Sequence, residues 1–547
     1  MACRNDSVTE SIIRLLVKYF PDAPNVSFED GFGKIMIGPT ALHEMCENSA
    51  VTPNIIQFLI DRAPDSLRVK DWRGRLPLHR LCEDDRFVND RTSIDILRIL
   101  LKHHPESIKR KTYRGSLPLH LAVGVRSTDF CRILIDAYPD SVRNANLGDL
   151  PIHYLCNNDN VGEKTALRTL KLLLEKNPES IKTANEYERN LPLHCASRVQ
   201  SPKFCSMLID VNPESVRIAN DEGNLPIHLL CSSEKSKVST LKLLVEKNPE
   251  SIRLGNNRGY LPLHFASRVH SPIICKVLID AYRGSQRISN VNGELPLHLA
   301  CDQNTLATVE YLLKMYPDAV NHSSGNGYYP IHCAVMSLAK RKDPAAAADI
   351  VQFLLNSGVK LQKIRGESLL LWACGQICED SKAGVQIIKA IYDAHADDND
   401  LASQDKIFVS QKICRLKAES LSHKLLQFCD SESLSEEGLR NLVKEHGLTV
   451  PDNSNNISSY SEDSKNELFD ERTIRNLISI ATDNWGLTAL HLACGNKNVT
   501  SKIIQLLIDL IPDSVRSETD GGRLPLHVLC TSVVVEEVAM EVLTILL

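Results

Sequence analysis

Histidine and cysteine recur together along this chain at a spacing that could hold a metal. Cys46, Cys82, Cys156, Cys231, Cys301 and Cys494 each stand three residues after a histidine, and such a pair on a helix shows both side chains on one face. Imidazole and thiolate are ligands that zinc accepts. The regularity of the pairs argues the other way. Neighbouring helices pack about 8–10 Å apart, whereas zinc needs its ligands within about 2.0–2.3 Å of one ion. Equivalent residues in successive copies therefore form a ladder and not a coordination shell, and the cysteines read as small buried groups. One irregular set, Cys374, Cys378, His395, Cys414, His423 and Cys429, fits no compact zinc spacing. No metal and no cofactor are expected.

Catalytic patterns give no better purchase. There is no Gly-x-Ser-x-Gly elbow and no His-Glu-x-x-His, and Gly31-Phe32-Gly33-Lys34 lacks the spacing of a phosphate loop. No catalytic residue is assigned, the chain is read as non-enzymatic, and no small-molecule substrate is expected. A net charge of −5 argues against a nucleic-acid binder, whose affinity rests on clustered Lys and Arg. Seventeen cysteines spread through 547 residues are odd in number and sit mostly at apolar helical positions. That is no disulfide framework, and it suits the cytosol or the nucleus. No stretch is long and apolar enough to insert in a membrane.

The elements that place these histidines follow from their spacing. A phrase such as Leu295-Pro296-Leu297-His298 centres on His43, His79, His120, His153, His194, His228, His264, His298, His332, His491 and His527, with Leu371 in the histidine's place once. Proline suits the first turn of a helix, where its missing N–H has no partner to lose. A helix this short cannot hold itself and needs stacked neighbours. Three residues ahead of the proline position stands glycine, at 38, 74, 115, 148, 223, 259, 293, 327, 366, 486 and 522, with Arg189 the one departure. That recurrence predicts a turn with positive φ. A longer amphipathic run follows each phrase, as in residues 93–109. Ser201-Pro202 and Ser271-Pro272 mark its start as cap and first turn. Pro105, Pro139, Pro178, Pro213, Pro249, Pro317 and Pro512 mark its end.

Helix, turn, helix and a glycine-bearing connection, opening on Pro-Leu-His with a period near 36, resembles the ankyrin repeat. The likeness covers residues 38–376 and 484–547, and Thr40-Ala41-Leu42-His43 and Thr488-Ala489-Leu490-His491 come nearest to its signature. In most other units, at Leu76, Leu117, Leu150, Leu191, Leu225, Leu261, Leu295 and Leu524, leucine stands where the family has threonine, so the threonine's contact to histidine is expected to be lost there. The resemblance implies an all-α repeat solenoid of at least twelve units, with helix-turn-helix pairs joined by β-hairpin-like loops, working as a protein-protein interaction scaffold or adaptor. An alternative is the regulatory repeat region of a longer enzyme or channel, because both ends of the sequence fall inside a repeat. The chain divides into an N-terminal array at 1–376, an acidic, serine-rich interruption at 377–470, and C-terminal repeats at 471–547. The interruption holds 18 acidic and 10 basic residues. Helical runs are expected there at about 382–395, 405–429 and 434–446, and another at 470–482, with a flexible loop at 449–468 and an eroded phrase at 420–429. A second mode of action has this stretch fold over the mildly basic array, with modification at Ser431, Ser433 or Ser435.

The residues assigned to partner binding are Trp72, Arg73, Tyr113, Arg114 and Tyr187, at the tips of the connections. Tips need no large aromatic to fold, and Trp, Tyr and Arg dominate binding hot spots. The expected partner is a protein, through an acidic or phosphorylated segment. A second row, Arg68, Lys109, Arg143, Lys182, Arg217, Arg253 and Arg516, stands three residues after an Asp or Glu each time and reads as self-neutralising surface charge.

Overall fold

The computed structural model describes residues 11–14, 28–29, 35–36, 40–83, 90–269, 271–361, 367–377, 382–396, 403–446, 448, 471–479, 481–483, 485–532 and 534–547. The loop expected at 449–468, Gly38, Gly366, Cys378 and the run Gly31–Lys34 lie outside them. By internal contacts the chain forms two units, 1–292 and 293–547.

Within the first unit, a short helix opens on the phrase's proline, as in Pro118–Ala122, Pro192–Val199 and Pro226–Cys231. A longer helix returns, as in Thr128–Ala137 and Pro202–Val211. Leu78, Leu119, Ile152, Leu193, Ile227 and Leu263, one per short helix, are all buried and make the continuous apolar spine that no single helix pair could supply. The cysteines of the phrase are fully buried among them. Burial pushes the thiols of Cys131, Cys195, Cys205 and Cys275 up to about 12, so they act as small apolar groups. Ser201 caps its helix by accepting from the Phe204 N–H at 3.2 Å. Ser271 holds the same place without a side-chain cap, and its backbone carbonyl takes the Ile274 N–H instead.

The second unit repeats the pattern in Pro296–Gln303, Pro330–Met336, Ala489–Gly495 and Pro525–Thr531. Where the phrase fades, Lys382–Ala396, Ser403–Asp430, Glu436–Glu445 and Glu471–Ser479 supply helices of other lengths. Residues 420–429 form the end of the 28-residue helix Ser403–Asp430 and do not open a helix as a phrase would.

The expected β-hairpin-like loops are not how the units join. The longer helix runs into a 3-10 turn that starts on its proline, as at Pro105–Lys109, Pro178–Ile181 and Pro249–Arg253. The serine of each turn, Ser107, Ser180 or Ser251, donates at 2.6 Å to the carbonyl of the residue ahead of that proline. The proline, acidic residue and serine thus spend the connector on local bonds, leaving too little extended backbone for a ladder. What remains is a tip closed by a backbone bond, such as Asp71 N–H to Arg75 C=O at 2.9 Å. Among the described residues the only paired strands are Phe28–Glu29 and Ile35–Met36, with a single bridge at Asn146 and Asp149.

The glycines do what their recurrence predicts. Nine of the eleven are described, at 74, 115, 148, 223, 259, 293, 327, 486 and 522, and every one has positive φ. At Gly223 (φ 77°) a Cβ would also sit 2.3 Å from Asn257 Oδ1 and 2.7 Å from its backbone nitrogen. Gly223→Ala should therefore lose about 2 kcal/mol or more. Arg189, the one departure, takes the left-handed conformation anyway, at φ 57° on the surface. Arg189→Gly should gain about 0.5–1 kcal/mol, the left-handed penalty less the added freedom of the unfolded chain. Urea midpoints of both variants check this, and equal midpoints would show that neither turn is strained.

Candidate functional site

The site is built from the tips outward. Most tips begin on an Asp, Asn, Thr or Ser whose side chain turns back on the next amides: Asp71 Oδ1 accepts from Arg73 and Arg75 N–H, both at 2.9 Å, and Asn220 Oδ1 from Glu222 and Asn224 at 3.1 and 2.9 Å, while Asn146 Oδ1 takes no such bond. Such turns fix the tip without help from the residues at its apex. Successive tips are then tied in register. Tyr113 N–H donates to Arg73 C=O at 3.1 Å, and Asn257 N–H to Glu222 C=O at 3.0 Å. Side chains add rungs: Asn146 Nδ2 to Ser116 Oγ at 2.8 Å, Asn185 Nδ2 to Asp149 Oδ1 at 3.0 Å, and Asn220 Nδ2 to Asn190 Oδ1 at 2.9 Å.

The predicted binding residues lie on this rail. Trp72 is 51% and Tyr113 71% exposed, on consecutive tips joined by the Tyr113–Arg73 bond. The Arg73 guanidinium sits 4.2 Å from the centre of the Trp72 ring, and Lys70 Nζ 5.7 Å from that of Tyr113. Arg114 is exposed beside Tyr113. Tyr187, 87% exposed, lies two tips further on, so it continues the row and does not join the pair. Between them stands Leu147, 76% exposed, which the sequence reading missed. A length change was the available signal. The tip closing bond spans Asn146 to Asp149 in that turn and Asn185 to Asn190 in the next, against four positions in the others, such as Asp71 to Arg75. With Leu147 at φ 48° and Gly148 at φ 81°, the shorter turn presents leucine at its apex.

Below the tips most motif histidines make two bonds each, whereas His332 makes only the Nδ1 bond and its buried Nε2 has no partner among the described residues. Nδ1 of His79 accepts the Leu76 N–H at 3.1 Å, and its Nε2–H donates to the Arg110 carbonyl of the next unit at 2.9 Å. His120, His194 and His228 repeat both bonds. Threonine is thus dispensable to the histidine's backbone contacts. Thr40 and Thr488 add a hydroxyl contact at 2.9 and 2.8 Å. Because Nδ1 must stay an acceptor, the ring is neutral, and burial lowers the pKa of His79, His120, His194 and His228 to about 4.

Two family models match within this sequence: one of ankyrin repeats in many copies over residues 243–300, and one of three ankyrin repeats over residues 273–365. Residues 243–365 are ankyrin repeats. A search among curated proteins finds no match. The same local pattern of helix starts, histidine bonds and glycine turns recurs on either side of the matched stretch, in His120 and Gly115 as in His491 and Gly486.

The other candidates find their places too. Among the described residues, no three of His, Cys, Asp and Glu are grouped to hold a metal ion. Of the irregular set, Cys374, Cys414 and Cys429 are buried thiols and His395 bonds to the Ile391 carbonyl of its own helix. The charge rows pair within their own turns, Arg68 with Asp65, Lys109 with Glu106, Arg143 with Asp140, Lys182 with Glu179, Arg217 with Glu214 and Arg253 with Glu250, at 3.3 to 3.9 Å and on the surface. They contribute little. No described helix is long and apolar enough to cross a membrane.

Proposed function

We propose that this chain is a non-catalytic scaffold or adaptor that grips an acidic or phosphorylated segment of a protein partner along its tips, from Trp72 and Arg73 through Tyr113 and Arg114 to Leu147 and Tyr187. One observation carries the reading: four consecutive tips, tied by one backbone and two side-chain hydrogen bonds, each expose a large apolar side chain that those bonds do not need. The charge around the row supports the partner's chemistry. Lys70, Arg73, Arg110, Lys111 and Arg114 gather around the first two tips, while Glu186 and Glu188 flank Tyr187. An acidic partner segment is favoured over Trp72 and Tyr113, and a neutral or basic continuation over Tyr187. A reducing compartment, cytosol or nucleus, goes with this reading and suits the free thiols of the described cysteines.

Affinity capture with the full chain and with Trp72→Ala/Tyr113→Ala tests it, with bound proteins identified and then treated with phosphatase. Proteins held by the native chain should be recovered at least tenfold less by the variant, at unchanged helicity and melting. Phosphatase or raised salt should weaken those still held. Equal recovery by the two chains sinks the proposal.

A further inference from the structure

The stretch 377–470 is acidic overall, yet its lysines are not evenly spread. Four of its 10 basic residues line one cavity of about 310 Å³, bounded by the helices Lys382–Ala396, Ser403–Asp430 and Glu436–Glu445. Lys382 comes from the first, Lys417 and Lys424 from the second, Lys444 from the end of the third. Val385 and Leu416 give the wall its apolar part, and Glu445 is the one carboxylate in the lining. Lys382, Lys424 and Lys444 make no ion pair among the described residues. These three ammonium groups around one small space repel one another, with no ion pair to offset the repulsion. An anion seated among them would reverse the sign of that interaction.

The polar groups beside the lysines fit an oxygen-rich anion. His446 donates from Nδ1 to the Leu442 carbonyl at 2.8 Å, which leaves Nε2 to accept from Ser420 Oγ at 3.2 Å. Ser420 is itself in the cavity lining, and its hydroxyl can turn to an incoming oxygen. Lys382 stands at the first residue of a 15-residue helix, whose first-turn amides carry the positive end of the helix dipole. The volume lies at the lower end of small-ligand sites. Lysines from three separate helices suit a ligand with several charged groups, where one phosphate could meet only part of the set.

We infer that this cavity binds a small ligand carrying two or more phosphate groups, either free or as the headgroup of a lipid. The site is separate from the tip row and stands or falls independently of it.

Titration calorimetry of the full chain with inositol hexakisphosphate tests the free source, and flotation with vesicles containing phosphatidylinositol bisphosphate tests the lipid. Saturable binding in either arm, weakened at least tenfold by Lys417→Ala/Lys424→Ala at unchanged melting, is the expected result. Binding in the first arm alone assigns a soluble ligand, and in the second alone a headgroup. Lys164→Ala/Lys203→Ala, on helices of the first unit, controls for loss of general positive charge and should leave binding intact. The inference is overturned by absence of saturable binding in both arms, by undiminished binding in the cavity variant, or by an equal loss in the control. If the cavity variant fails to fold, Lys382→Gln and Lys444→Gln, both on exposed positions, are measured against the same criteria.

Discussion

Acidification from about pH 7.5 to pH 5 is expected to unfold the repeat units, and the motif histidines are the cause. Burial lowers the pKa of His43, His79, His120, His194, His228, His298 and His332 from 6.5 to about 4, and lowers His153 as well. The structural reason is that Nδ1 accepts the amide of the residue three places earlier, so a proton there removes an acceptor from the helix start and leaves a charge among apolar side chains. The unfolded chain carries no such restraint and takes up protons from about pH 6.5 downward. Between pH 6.5 and 4 it therefore binds more protons than the folded chain, and stability falls as pH falls through that window. Above pH 6.5 the full stability is present. Each histidine so lowered withdraws about 2 kcal/mol by pH 5, and five act together in residues 1–292 against two in residues 293–547. The five withdraw about 10 kcal/mol, which is comparable with the whole stability of an ordinary domain. Denaturant midpoints measured from pH 8 to pH 5 should drop steeply below 6.5, and His228→Gln should make the drop shallower by about one proton. Midpoints that stay level down to pH 5 would falsify the account. The Asp71 carboxyl, held below the ordinary range, does not contribute in this window.

The acid lability was legible in the sequence only in part. The period of the histidines, the proline at each helix start and the glycine three residues before it are strictly local signals, and all three reappear as predicted geometry. The self-neutralising rows at Asp65–Arg68 and Glu179–Lys182 were local too. The β-hairpin-like loops were carried over from the family resemblance, against a local signal: proline, acid and serine favour a 3-10 turn, and Ser180 bonds back to Asn177. The Asn, Asp, Thr or Ser three residues before most glycines, as at Asp71, Asn220 and Asp483, was in plain view and announces the side-chain-closed turn. Its weight was missed because the glycine already accounted for the bend. Leu147 was hidden by a turn one residue shorter than the one before it and two shorter than the one after. The lysine cavity had no sequence signal at all, since Lys382, Lys424 and Lys444 come together only through the packing of three helices whose period had faded.

Asp71→Ala should be among the most damaging single changes in the chain, and it should disable the tip row even where the fold survives. The Asp71 side chain is fully buried and meets two cations, Arg75 Nε at 2.9 Å and Arg80 Nε at 2.9 Å, besides the two tip amides. Arg75 reaches on to Glu83, and Arg80 to Glu47 in the preceding repeat. Burial alone would raise the Asp71 carboxyl, but the Arg75 amide and the guanidiniums of Arg75 and Arg80 bring it below its usual range. Removing the carboxylate leaves two buried guanidiniums facing each other across the space it filled, at a cost of about 3–5 kcal/mol. It also frees the Arg73 and Arg75 amides, and with them the turn that holds Trp72. Asp71→Asn keeps the shape and one acceptor but turns an amide N–H₂ toward a cation, so it should fall between the two. The order native, Asn, Ala in urea midpoint checks the ion-pair reading, because simple loss of packing would leave the near-isosteric Asn variant close to native. Partner recovery should follow the same order, since the carboxylate that neutralises Arg75 and Arg80 is also the group that fixes the Trp72 tip.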